Sequence, residues 1–297
     1  MSLLSSTQGT PERVWSLVSL LADSGGALDR AEAAGWLNPG FTRDNQEVAE
    51  KPTAFQQVVG AASSLGAVEA DGSMLRLSPG CDASTNAAFS DWVHDRLATL
   101  DSAEKDGVVL EAFAWLAAKS DAEGSVGWIS QSTADGFADA AEQALPDAAD
   151  DDGDRRINRT KLPSWRRWLI SLGLIVSFPG ALQWHPLIDR RVARELTRAG
   201  LRQNEEIPAV AFLSLLAKRL PYLDGGPMFV EATRRIKHAE RPRQLSPILS
   251  AALRNLHDDG VIELKLLGDA ADLIRLSQDT HRLQAFYAVV AKSLDVV

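Results

Sequence analysis

A chain of 297 residues with 45% hydrophobic and 24% charged residues has material for two or three ordinary cores, which excludes global disorder. Its longest apolar runs, such as 172–178 and 209–216, are far too short to span a bilayer, and residues 1–10 lack a signal peptide's basic and apolar regions, so a cytoplasmic protein that does not engage membrane is expected. The net charge of −9 is segregated: residues 1–154 carry 8 Lys/Arg against 26 Asp/Glu, and residues 155–297 carry 23 against 14, which points to different partners for the two halves.

In chain order, Thr10-Pro11 predicts a helix start, a hydroxyl cap followed by proline at the first helical position. Val14, Leu17, Val18 and Leu21 recur at helical spacing, and Asp23-Ser24-Gly25-Gly26 ends the run. A short helix is predicted over 28–36, before Asn38-Pro39-Gly40, and Pro52 opens another through Phe55, Val58, Val59, Ala62 and Leu65. Extended runs at 67–70 and 74–77 flank Asp71-Gly72 and read as a hairpin. Three helices and then a two-stranded wing is the winged-helix order.

That order recurs. Helices are predicted over 108–119, 134–145 and 163–172, followed by a hairpin of 174–178 and 181–184 about Pro179-Gly180. A third copy has a helix from Pro208, one over 228–238 and one over 247–257, then wing strands at 261–267 and 272–276. Linker helices are predicted over 83–100 and 187–199, and a last docked helix over 283–294. The three helix-to-wing junctions, Leu65-Gly66-Ala67-Val68, Leu172-Gly173-Leu174-Ile175 and Asp259-Gly260-Val261-Ile262, each put glycine just past a helix, where a left-handed residue is wanted. The expected fold is therefore mainly α with short β-hairpins, an α+β chain of three tandem winged-helix-like domains over 1–104, 105–203 and 204–297.

No catalytic constellation stands out. There is no phosphate-binding glycine loop, no Gly-x-Ser-x-Gly elbow and no His-Glu-x-x-His pair, and none of the five histidines lies three to five residues from another. His185, between Trp184 and Pro186, reads as a packing residue rather than a general base. The run Asp147, Asp150, Asp151, Asp152 and Asp154 lacks the spacing of an EF-hand and reads as a solvated loop. Cys81 is the only cysteine, so an intramolecular disulfide and a cysteine-rich zinc site are excluded. A non-enzymatic binding protein without metal or cofactor is expected.

A winged helix usually reads DNA with its third helix, phosphate contacts supplying most of the affinity. The first copy is a poor candidate, since its third helix offers Thr53, Gln56, Gln57, Ser63 and Ser64 in acidic surroundings, and it is expected to dock protein. The second is better. Arg155, Arg156, Arg159, Lys161, Arg166 and Arg167 stand in a stretch with no acid from 155 to 187, and Arg190, Arg191, Arg194 and Arg198 extend it onto the next helix. The third copy offers Arg234, Arg235, Lys237, His238, Arg241 and Arg243, then Gln244, Arg254 and Asn255, residue types able to make base contacts. Trp165 and Trp168, three apart on an amphipathic helix, read as core before they read as a base-stacking platform.

Three stretches carry a family resemblance: Thr10-Pro11-Glu12-Arg13-Val14; the middle run from Arg156 to Lys161 with Trp165-Arg166-Arg167-Trp168-Leu169 and Leu172-Gly173; and the run from Leu245-Ser246-Pro247 to Arg254. In these the chain resembles the G component of the Dpd systems, bacterial clusters that insert 7-deazaguanine derivatives into DNA and restrict unmodified DNA. The resemblance implies an accessory protein of an anti-phage restriction system, working beside helicase-like and nuclease components, and it supplies no catalytic residues. The expected function is a DNA-binding adaptor whose acidic first domain docks partner subunits. A purely protein-binding scaffold and a stand-alone transcription regulator are the alternatives, the latter disfavoured by three unlike copies in one chain.

Overall fold

Thr10 is extended and Pro11 supplies the first residue of α1 (Pro11–Asp23), whose Val14, Leu17, Val18 and Leu21 form a fully buried stripe. The computed structural model describes residues 2–37, 53–102, 104–146, 155–178, 184–239, 241–266, 272–277 and 281–293. After α1 come β1 (Ala27–Asp29), α2 (Arg30–Leu37), α3 (Thr53–Ser64), β2 (Val68–Asp71), β3 (Met74–Leu77) and α4 (Asn86–Ala98). A 3-10 turn (Lys105–Gly107) leads into α5 (Val108–Glu123), α6 (Trp128–Gln131), α7 (Ala134–Ala144), α8 (Leu162–Ser171), β4 (Ile175–Ser177), β5 (Trp184–Pro186) and α9 (Asp189–Arg198). The chain continues through β6 (Glu206–Pro208), α10 (Ala209–Arg219), α11 (Pro227–Arg235), α12 (Pro247–Asp258), β7 (Ile262–Lys265), β8 (Ile274–Arg275), β9 (Ala285–Phe286) and β10 (Ala288–Ala291). The fold is α+β, mainly helical with small antiparallel sheets. No helix among the described residues is long and apolar enough to cross a membrane.

Contacts gather the chain into two compact units, Met1–Val109 with Ala148–Leu172, and Leu110–Asp147 with Gly173–Val297. In the first, β3 is the central strand between β1 and β2, paired Leu28 with Leu75 and Ala70 with Leu75. Buried Asp106 ties this unit together: Leu3 N donates to its Oδ1 at 2.8 Å, and the Ser64 hydroxyl donates to its Oδ2. Trp165 on α8 is fully buried and donates through Nε1 to the Val109 carbonyl at 3.0 Å.

In the second unit, β10 is central between β6 and β7, with Val289 opposite Ile207 and Leu264. Both three-stranded sheets thus run first strand, last strand, second strand, the same topology built twice. Trp115, Trp128, Phe137 and Trp184 form a second-unit cluster of edge-on and stacked rings with centroids 5.1–5.7 Å apart, and Lys119 lies 4.8 Å over the Trp128 ring.

The three junction glycines do adopt the left-handed conformation, with φ of 73° at Gly66, 72° at Gly173 and 71° at Gly260. Ala67 N returns to the Ala62 carbonyl and Val261 N to the Leu256 carbonyl, both at 2.9 Å, closing the six-to-one bond of a Schellman cap. Three elements differ from the sequence reading. Residues 27–29 form β1, not the start of the second helix, because they pair with β3. The tail expected as a helix forms β9 and β10, since Ala288–Ala291 is buried on both faces between two strands. The expected third wing also changes partners: β7 pairs with β10, and β8 pairs with β9. The predicted turns at Pro179-Gly180 and Gly268-Asp269, the loop at Asn38-Pro39-Gly40 and the acidic run at 147–154 lie outside the described residues.

Candidate nucleic-acid interface

The basic stretch of the first unit enters α8 through a turn held by Asn158, whose Oδ1 accepts from Thr160 N and Lys161 N, each at 3.0 Å. Pro163 in the first turn starts the helix, and its apolar stripe of Leu162, Trp165, Trp168 and Leu169 turns inward. Both tryptophans are core. What remains outward is Arg167, exposed, and Arg166, half-buried, where lost hydration lowers the guanidinium pKa without approaching neutrality. Arg155 and Arg159 are exposed in the turn before the helix.

Two residues of the expected face are elsewhere. Arg156 is 3% exposed and donates through Nη2 to the Glu104 carbonyl at 3.2 Å. Lys161 is 6% exposed and donates through Nζ to the Arg155 carbonyl at 2.6 Å. Each cation is buried and donates to a backbone oxygen of its own unit, where a buried charge needs acceptors.

In the second unit, Arg190 is exposed and Arg194 half-buried on α9. Their neighbour Arg191 turns inward and meets the equally buried Glu195 at 3.3 Å, with Arg198 reaching the same carboxylate at 2.6 Å and Arg219 at 3.2 Å. Arg191 and Arg198 therefore belong to an ion cluster rather than to an open basic stripe.

Farther along, Arg234 grips Glu231 with Nε and Nη2 at 2.8 and 2.7 Å, and this fork holds the Glu231 carboxyl below its usual range. Arg235 also reaches Glu231 at 2.7 Å, Lys237 is exposed, and Arg243 pairs with Asp272 at 3.0 Å. Arg254 was expected on the outer face of the third reading helix, but α12 is buried almost all round. Its guanidinium donates to the Leu283 carbonyl at 3.1 Å and the Ser277 carbonyl at 2.5 Å. Among the described residues, Arg254 is therefore turned away from the exposed side of α12. Gln244, three residues ahead of the helix, and Asn255 in its last turn are half-buried.

His185 projects from β5, and desolvation of its ring lowers its pKa, which favours the neutral form. Sequence reasoning missed Asp121, 6% exposed on α5, whose Oδ2 lies 2.8 Å from His238 Nε2 across 117 residues of chain. No local spacing could reveal that pair.

A family model described as DpdG-like matches residues 1–270. No curated protein and no solved structure matches the chain.

Proposed function

The chain belongs to the DpdG-like family, and from that premise we propose that it serves the Dpd system as a non-enzymatic adaptor, touching DNA phosphates with the exposed arginines about α8 and α9 and docking partner proteins through its acidic N-terminal part. One observation carries the DNA half. Arg155, Arg159 and Arg167 are exposed and Arg166 is partly so, in a stretch without any carboxylate from 155 to 187. Such a patch favours counterion release over base reading, so binding is sequence-tolerant and steeply salt-dependent.

The order α1, β1, α2, α3, β2, β3, with a three-stranded wing sheet, supports a winged-helix reading of the N-terminal part. Its third helix, α3, carries no Lys or Arg, which favours protein over nucleic acid as its partner. The alternative of a scaffold that binds only protein draws on that same helix and on the strong acidity of residues 1–154.

A gel shift with duplex DNA at two salt concentrations, comparing wild type with Arg166→Glu/Arg167→Glu, separates the two. The adaptor reading expects a shift at low salt that weakens in the double variant. No shift by the wild-type chain at low salt leaves the scaffold.

A further inference from the structure

The second unit carries an apolar hollow of about 460 Å³ bordered by α10 and α11. α10 has two apolar faces. Ala209, Phe212 and Leu216 are buried in the core, while Val210, Leu213, Ser214 and Ala217, at helical spacing on the other side, line the hollow. Phe229 and Val230 of α11 and Ile274 of β8 complete the wall. Val210 is 61% exposed and Val230 41%, so water meets a shared apolar strip rather than a scattered side chain. Exposed apolar surface of this kind, rimmed by polar groups, marks a binding face.

The charges around the hollow differ in what they can reach. Asp121 places Oδ2 2.8 Å from His238 Nε2, and its Oδ1 is buried. Asp224 accepts from Ser246 N at 2.5 Å and from Ser246 Oγ at 2.7 Å, one on each oxygen. That carboxyl is so far withdrawn from water that burial pushes its pKa up to about 6 despite those bonds. Both acids are thus closed to an incoming group. Arg243 pairs with Asp272 at 3.0 Å. Arg241 on the lining is exposed, and so is Lys218, one turn past Ser214 on α10, and neither has an ion-pair or hydrogen-bond partner among the described residues. The unpaired charges open to a partner here are therefore positive.

The backbone at the hollow offers nothing to an extended strand. β8 pairs with β9 on one edge. On the other edge Arg275 N donates to the Arg243 carbonyl at 2.8 Å, and the Arg275 carbonyl accepts from Leu245 N at 2.9 Å. α10 and α11 satisfy their own backbone and present side chains. An occupant is therefore held through its side chains, as a helix laid in a groove is.

We propose that this hollow docks an amphipathic helix of a partner protein, its apolar anchors laid against Val210, Leu213, Phe229 and Val230 and its flanking Asp or Glu side chains meeting Lys218 and Arg241. Burial of the apolar strip supplies the affinity, and the two cations set the sign of the flanks. The surface takes a partner of opposite charge to one suited to the acidic N-terminal part, and it does not depend on DNA binding.

The test uses the full chain and two fluorescein-labelled synthetic peptides that share one leucine stripe at i, i+3, i+4 and i+7, the first flanked by Glu and the second by Lys. Fluorescence anisotropy is expected to show saturable binding of the Glu peptide, at least roughly tenfold tighter than the Lys peptide, because like charges set face to face cost affinity. Lys218→Glu/Arg241→Glu is expected to abolish that preference. Val210 and Val230 are exposed, so Val210→Gln/Val230→Gln spares the core and adds no charge. This variant is expected to bind the Glu peptide at least roughly tenfold more weakly, with the unfolding transition and the affinity for duplex DNA unchanged. The proposal is overturned if the Glu peptide does not saturate, if the Lys peptide binds as tightly, or if the valine variant binds the Glu peptide like wild type. A loss of DNA affinity in the valine variant assigns the hollow to nucleic acid and overturns it equally.

Discussion

Asp224 and Ser246 are joined twice, Ser246 N donating to one carboxylate oxygen at 2.5 Å and Ser246 Oγ to the other at 2.7 Å. Ser246 is also the N-cap of α12, its Oγ accepting from Leu249 N at 3.3 Å. The acid therefore fixes the cap that starts α12, a helix with eight of its twelve residues buried.

This relationship has a pH signature. Asp224 has its folded pKa raised to about 6, above the ordinary aspartate value. The folded state thus holds the proton more tightly than the unfolded chain, and stability falls as pH rises from about 4 to about 6. The contribution of this one group is on the order of 3 kcal/mol. Asp224→Asn keeps the shape and removes the titration. Urea unfolding at about pH 4 and about pH 7 is expected to show a smaller loss of stability on raising the pH in the variant than in wild type. Equal losses in both proteins would contradict the assignment.

Two glycines of the second unit separate backbone strain from crowding. At Gly260, φ is 71° and a Cβ would meet nothing within 4 Å, so Gly260→Ala costs strain alone, about 1 kcal/mol, and Gly260→Asn costs less. At Gly226 a Cβ would run into the backbone of Pro221 and, at 2.8 Å, the Leu223 carbonyl. Gly226→Ala is expected to cost about 3 kcal/mol or more, because backbone cannot step aside as a flexible side chain can. Denaturant midpoints of the two alanine variants check the order.

Arg254 gives a third check, since its two readings predict different losses. As a DNA contact, its removal would weaken binding and spare the fold. As the partner of the Leu283 and Ser277 carbonyls, Arg254→Ala strands two buried acceptors and is expected to cost about 2–4 kcal/mol of stability. Thermal unfolding of the variant, beside DNA binding well below its transition, distinguishes these: a lowered Tm with unchanged affinity is the expected result.

These residues also mark how far sequence reaches. The turns at Gly66, Gly173 and Gly260 were legible because a left-handed residue after a helix is a local requirement, written in the chain where it acts. The strand at Ala288–Ala291 was not, because a short apolar run of Ala and Val fits a buried helix or a buried strand equally well, and the choice was made by distant Ile207 and Leu264. The basic face was half legible. That Arg166 and Arg167 fall outside the buried stripe of α8 follows from helical phase, while Arg155 and Arg159 are exposed in the turn before it. Arg156 and Arg254 carry the same charge but are claimed by carbonyls 52 and 29 residues away, and charge pattern is blind to such partners. The only local warning was on α12, where Arg254 follows the buried Leu253 and lies four residues after the buried Ser250.

The central claim is phosphate contact through the α8 arginines, and the salt dependence of DNA affinity tests it most directly. Fluorescence anisotropy of a labelled duplex, titrated with the full chain over a series of salt concentrations, yields log K against log salt. The account predicts a straight line of negative slope whose magnitude falls by about 2 in Arg166→Glu/Arg167→Glu, roughly one unit per lost phosphate contact. An absence of binding at low salt, or the same slope in wild type and variant, would contradict it.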